Sequence, residues 1–236
     1  MKRLIAGSFA FVVVLILVAA SPIMNIRVVA VNGNERFSSA EILRSAGFED
    51  NTNIFAFSTR RAKEGLYNNT YIKQVSISRD FLSRSLEINI VERRLSGYVR
   101  FRDNTYLFID RDGMVLEART SFVERHPVIE GLRFGEFTIG EYLEVENISA
   151  LEIMMELSYL FEKFDIHQDI IRIDLSREDE IHFYYGNINI QMGSRNDLDL
   201  KMLKMMAILP SLADYKHIGG FLYMQNPLMP RFSLLS

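Results

Sequence analysis

A short basic tip, Lys2-Arg3, is followed by an unbroken apolar run from Leu4 to Ala20, and no other stretch of the chain resembles it. At ~1.5 Å rise per residue, this run with Ser21-Pro22-Ile23-Met24 is long enough for a bilayer core of ~30 Å. Each large aliphatic or phenyl side chain favours insertion by roughly 0.3–0.6 kcal/mol, and no charge in the run offsets it. The run predicts one membrane anchor over residues 4–24, with residues 1–3 as a cytoplasmic tip. The competing reading is a cleaved signal peptide, for which Val18-Ala19-Ala20 offers a small-residue cleavage site. Its apolar core would be ~7–15 residues, shorter than this run, which favours the uncleaved anchor. The charge bias across the span is slight, with Arg27 and Arg36 soon after it. A long C-terminal domain translocates largely regardless of charge, so a single-pass type II arrangement is expected, with the bulk of the chain extracytoplasmic.

Beyond Asn25 the chain reads as globular. Hydrophobic residues at 48% and charged residues at 24% are ordinary for a folded domain. The net charge of −3 is spread over both signs without a basic stripe, which argues against a nucleic-acid partner. The lack of cysteine removes disulfides, iron–sulfur clusters, thiolate metal sites and cysteine nucleophiles together.

The β-branched run Ile26–Val31 stops at Asn32-Gly33-Asn34, a strand and a turn. Ser38 and Glu41 are spaced as a capping box, Phe37 and Ile42 as a hydrophobic staple, and Gly47 ends the short helix. Ser58 caps a second helix carrying Ala62 and Leu66, ending near Asn68-Asn69. Period-two patterns at Ile72–Arg79 and Leu86–Val91 predict an antiparallel hairpin with one buried face. Strand–helix–helix–strand–strand is an α+β order, with two helices on one face of a three-stranded sheet.

A second α+β unit begins after Glu92-Arg93-Arg94. Its signals are an Asp-Gly hairpin around Asp110-Arg111-Asp112-Gly113 and a helix over Leu151–Phe164. Strands are expected at Ile170–Leu175, Ile181–Tyr185 and Ile188–Met192. A helix opening at Asn196 or Asp197 carries Leu198, Met202, Met205, Met206 and Leu209, and a last strand lies within Gly219–Gln225.

Read in order, several segments resemble the FtsQ/DivIB family of bacterial cell-division proteins. They are Val31-Asn32-Gly33-Asn34, Ile88-Asn89-Ile90-Val91-Glu92-Arg93, the hairpin from Tyr106 to Leu116, and His126-Pro127-Val128-Ile129-Glu130-Gly131-Leu132. The resemblance implies a POTRA domain over 25–94, a larger mixed β-sheet domain with two helices over 95–225, and a C-terminal tail over 226–236. It also implies a non-enzymatic divisome scaffold at the division septum, without cofactors. Such a scaffold binds bitopic partners of the FtsB/DivIC and FtsL type and helps recruit and regulate septal peptidoglycan synthesis. Leu95 stands where the family usually has proline, and Phe221-Leu222-Tyr223-Met224 replaces a more polar family strand. Two other classes stay open: a POTRA-bearing envelope secretion or assembly factor, and a membrane-anchored envelope hydrolase.

Individual motifs point away from chemistry. The Asp110–Gly113 loop lacks the spacing of a calcium loop and reads as a turn. His126, His167, His182 and His217 are scattered, and no serine lies in a nucleophile elbow or Ser-x-x-Lys motif. The Met202, Met205, Met206 stripe reads as core. No catalytic, cofactor or metal residue is expected. The candidate partner-binding segment is Phe221, Leu222, Tyr223, Met224 and Gln225. There an uncovered sheet edge could accept a partner strand, and the alternative is an internal strand with its apolar residues buried.

Overall fold

A computed structural model describes residues 2–120 and 126–234, with side chains from Phe11 onward, Asp103 excepted. The chain divides into two units, Met1–Arg93 and Arg94–Ser236.

The first unit opens with helix α1, Lys2–Ala20. The side chains of the basic tip and of the first half of the apolar run lie outside the described residues. From Phe11 to Val18 the apolar side chains are exposed. Among the described residues, no helix is long and apolar enough to cross a membrane.

The capping box forms as expected and starts α2, Ser39–Ser45. Ser38 Oγ accepts the Glu41 amide at 3.3 Å, and the Glu41 carboxylate accepts the Ser38 amide at 2.8 Å. Helix α3 (Thr59–Tyr67) starts at Ser58, whose hydroxyl accepts the Arg61 amide. Strands β1 (Val28–Asn32), β2 (Ile72–Asp80) and β3 (Ser85–Glu92) form a sheet in the order β1-β3-β2. β3 runs parallel to β1 and antiparallel to β2. Ile42, Ala62 and Leu66 of the helices share one core with Ile72, Val75, Leu86, Ile88 and Ile90 of the sheet.

The motif residues that carry the family resemblance tie this unit together. Glu92 accepts the amides of Arg36 and Phe37 at 2.8 and 3.4 Å, fixing the approach to α2. Arg36 lays its guanidinium 3.9 Å over the Tyr71 ring. Gly33 turns the chain at φ +81°, and a Cβ there would lie 2.1 Å from the Ile90 carbonyl oxygen.

Among the described residues, the second unit is one nine-stranded mixed sheet with two α-helices. Its strands are β4 (Leu95–Arg100), β5 (Tyr106–Asp110), β6 (Val115–Arg119), β7 (Val128–Glu130), β8 (Ile170–Asp174), β9 (Ile181–Tyr185), β10 (Ile188–Gly193), β11 (Gly220–Tyr223) and β12 (Arg231–Leu234). Their spatial order is β12-β11-β10-β9-β8-β7-β4-β5-β6. Residues 226–236, expected as a tail, contain β12, which pairs antiparallel with β11. The last two residues lie outside the described part. β4 and β7 also form where no strand was expected, and they are the parallel pair that joins the hairpin β5–β6 to the rest of the sheet.

Helices α4 (Ile148–Lys163) and α5 (Leu198–Ile208) cover one face of this sheet. Phe161 meets Phe183 edge-on with ring centres 4.8 Å apart. Met202 and Met205 are fully buried beside Leu198, as the helical spacing suggests, while Met206 is only partly buried. The Asp110–Gly113 segment is a turn. The Asp110 carboxylate accepts the Asp112 and Met114 amides, both at 2.9 Å, and Gly113 takes φ +83°.

Gly33→Ala is expected to destabilise the protein by roughly 1–3 kcal/mol, because the added methyl meets backbone at a positive φ. Urea denaturation of the purified protein measures it, with a second-unit probe unchanged.

Candidate interaction face and sheet edge

Strand register brings together what the linear sequence scatters. Across the second sheet, Val99, Leu107, Ile129, Ile173, Phe183, Ile190 and Leu222 are neighbours in register, and all belong to the core beneath the helices. The row one residue away on each strand faces the other side. Glu117, Phe108, Tyr98, Val128, Arg172, Tyr184, Asn189, Phe221 and Ser233 are successive partners across all nine strands. A second row on this open face joins Glu130, Asp174, His182, Gln191, Tyr223 and Arg231.

This second face, open only in part because Tyr98, Phe108 and Asn189 are buried, is aromatic and ionic. Arg172 pairs with Glu130 and lies 3.7 Å from Asp174, while His182 Nε2 approaches Asp174 from the other side at 3.6 Å. The Arg172 guanidinium also lies 5.6 Å from the Tyr184 ring centre. Burial works to raise the Asp174 carboxyl. The Ser176 hydroxyl and amide, His182 and Arg172 together outweigh it and hold the group below the usual carboxylate range. At the far end, Tyr98 is buried against Tyr106 and Phe108, with ring centres at 5.5 and 5.6 Å. Burial, reinforced by the neighbouring Tyr106, pushes its phenol up to about 12.

The segment Phe221–Gln225 divides between the two faces. Leu222 and Met224 are buried in the core, whereas Phe221 and Tyr223 stack on the open face with centres 6.2 Å apart. Gln225 is exposed and its amide reaches the Gln191 side chain at 3.4 Å. β11 is therefore not the sheet edge: β10 pairs with one side of it and β12 with the other. The edge is β12. Arg231 lies 4.9 Å over the Tyr223 ring, and Phe232 turns inward onto Tyr215, 5.3 Å away. Gly220 makes this possible, since a Cβ there would fall 2.6 Å from the Phe232 ring.

Sequence reasoning on single motifs missed Glu130, Arg172, Asp174 and Arg231, and left His182 among the scattered histidines without its carboxylate partner. The alternation of Arg172 with Asp174 and of His182 with Tyr184 carried the signal, but joining them requires the pairing of β8 with β9, and adding Glu130 requires the register of β7, a three-residue strand. Of the other histidines, His167 lies 3.7 Å from Asp165 and the His217 carbonyl accepts the Asn187 side chain at 2.6 Å. His126 stands just before β7. The register does not gather the four histidines into one cluster. Among the described residues there is no group of three or more potential metal ligands.

A three-stranded sheet with two helices on one face, followed by a one-sided nine-stranded sheet, defines a POTRA-plus-β-domain protein. Residues 24–93 match the family model of the FtsQ-type POTRA domain, and residues 97–224 match that of the FtsQ/DivIB C-terminal region. The chain is 28% identical to cell division protein DivIB of Clostridium tetani over 189 residues, covering 80% of this chain and 71% of that protein. With DivIB of Clostridium acetobutylicum it shares 26% over 210 residues, or 88% and 83% of the two chains. With that of Listeria monocytogenes it shares 27% over 150 residues, or 63% and 54%. The chain belongs to the FtsQ/DivIB family of cell-division proteins.

Asp174→Asn is expected to lower stability at neutral pH. A carboxyl with a depressed folded-state pKa contributes stability above its unfolded value near ~3.9 and loses it as pH falls through the folded value. Denaturation midpoints of the two proteins should therefore differ at pH 7 and converge in acid.

Proposed function

We propose that this protein is a non-enzymatic scaffold of the division machinery. It is held in the cell membrane by residues 4–24 with its N-terminus cytoplasmic and its folded units extracytoplasmic. It binds bitopic division proteins of the FtsB/DivIC and FtsL type and helps recruit and regulate septal peptidoglycan synthesis. Membership of a cell-division family supports the process. The length and apolarity of the run Leu4–Ala20 support the anchor.

The observation that carries the binding role is β12, a short strand whose only strand partner among the described residues is β11. Its outer side is available for a partner strand, which would gain main-chain hydrogen bonds. Specificity would come from the open face beside it, where Phe221 and Tyr223 stack and Arg231 covers Tyr223. Leu222 and Met224 act indirectly, by seating β11 in the core, and Gln225 borders the open face. Anchors in one membrane raise the effective concentration of such partners, so modest contacts suffice.

Tyr223→Glu puts a charge on the half-buried open face without entering the core. It is expected to weaken capture of the bitopic partners by about tenfold, ~1.4 kcal/mol, at unchanged protein yield. Unchanged capture by the folded variant would sink strand addition at this edge. A fluorescent fusion is expected at mid-cell, with filamentation on depletion. A uniform envelope signal with normal division would overturn the divisome reading.

A further inference from the structure

The end of α1 is joined to the first unit by side chains as well as by the chain. The Asn53 amide donates to the Ala19 and Ser21 carbonyls at 2.9 and 3.2 Å, and its Oδ1 accepts the Phe55 amide at 2.9 Å. Backbone bonds of 2.9 Å run from the Ile54 amide to Met24 and from the Ile26 amide to Thr52. At the β2–β3 hairpin tip, the Arg84 guanidinium donates to the Ile23 carbonyl, and the Arg84 carbonyl accepts the Arg27 amide at 2.9 Å. The hairpin tip, the Asn53–Phe55 segment and the helix end thus form one block.

This block presents apolar groups to solvent. Leu82 is 96% exposed, on a tip ordered by Asp80, whose carboxylate accepts the Leu82 amide at 2.8 Å. Ile23 is 67% exposed. Phe55 and Phe81 stack 5.1 Å apart with about half of each still in water. Arg79 lies 5.4 Å from the Phe81 ring and holds the Ile54 and Phe57 carbonyls at 3.2 and 2.8 Å. Single exposed apolar residues are ordinary, but these surround the C-terminal end of an apolar helix. Aromatic and aliphatic groups interleaved with arginines make the composition of a membrane-interface segment.

We propose that Ile23, Phe55, Phe81 and Leu82 form a lipid-contacting foot. It seats in the headgroup–acyl boundary of the bilayer that α1 enters, with Arg79 and Arg84 facing anionic phosphates. The inference rests on reading α1 as an anchor. Continuity selects lipid as the occupant, because the block is hydrogen-bonded to the last turn of that helix, at the level where a span leaves the hydrocarbon. The foot would orient the first unit on the membrane as well as tether it.

The cysteine-free chain allows single-site labelling. The full chain is reconstituted in phosphatidylethanolamine–phosphatidylglycerol vesicles with an environment-sensitive fluorophore at Leu82→Cys, Val12→Cys or Asn68→Cys. Asn68 ends α3 beside the start of β2, so the nine residues of β2 separate it from the tip by roughly 25–30 Å. Lipid-borne quencher is expected to cost about a twofold loss of fluorescence at positions 12 and 82 and to spare position 68. As a check on the label's own affinity for lipid, a label at Ser83→Cys should be quenched and should lose that quenching when Leu82→Asp is added. Quenching at 12 without 82 would overturn the foot and leave the anchor standing. No quenching at 12 would remove the anchor reading and the foot with it. Equal quenching at 68 and 82, or a blue shift at 82 that tracks protein density rather than quencher, would overturn the proposal in favour of adventitious adsorption or a protein occupant.

Discussion

In the second unit, one pleat runs across the sheet, with register shifts in four of its pairings. β4, β5 and β7 to β11 each place an apolar residue in the core with α4 and α5 and send the next to the opposite face, so the core row from Val99 to Leu222 and the ionic row beside it are set by the same register. A one-residue slip of β8 would turn Ile173 into water and drive Arg172 and Asp174 into the core. Burying charges without partners costs several kcal/mol, far more than the hydrogen bonds of a slipped ladder could return. The register is therefore strongly specified, and the clustering of Glu130, Arg172, Asp174 and His182 is its consequence. No local motif assembles that cluster.

The same alternation explains the edge. β12 is four residues long, begins directly after Pro230, and carries Arg231 on its outer face. Short length, a flanking proline and a cationic side chain are the devices by which sheet edges avoid indiscriminate pairing. Phe232 pins the strand from the core side, because Gly220 leaves room for its ring. The result is an edge held in place from the core side and carrying features that discourage indiscriminate pairing.

Local chemistry made the first unit legible in sequence. Ser38 with Glu41, Ser58, and the alternation of Leu86, Ile88 and Ile90 each act within a few residues, and the structure forms each as expected. The second unit was legible where strands are long and apolar, as in β8 to β10, and where the helical stripe of α5 meets the core. It was not legible in β4, β7 and β12. β4 contains Gly97, whose missing side chain lets the Pro127 carbonyl approach, and a glycine in a strand weakens any local signal. β7 is three residues long, and β12 comes after a Pro-marked turn that reads as tail. All three exist because neighbouring strands satisfy their backbone groups, which is information of long range. The candidate segment Phe221–Gln225 was located as a strand, but its status as edge or interior depended on β12.

Asn53 shows the same principle in a single side chain. In sequence it is one polar residue in a loop, while in the fold its amide and carbonyl serve both the end of α1 and the Phe55 backbone, across a separation of more than thirty residues. A flexible junction would let the first unit sample every orientation about the helix end, and a partner in the same membrane would have to overcome that orientational entropy on binding. A hydrogen-bonded junction removes part of that cost before any partner arrives. If α1 is the anchor proposed above, the apolar groups on the same block would make it a positioning device as well as a tether, because the foot and the helix end are joined through Asn53.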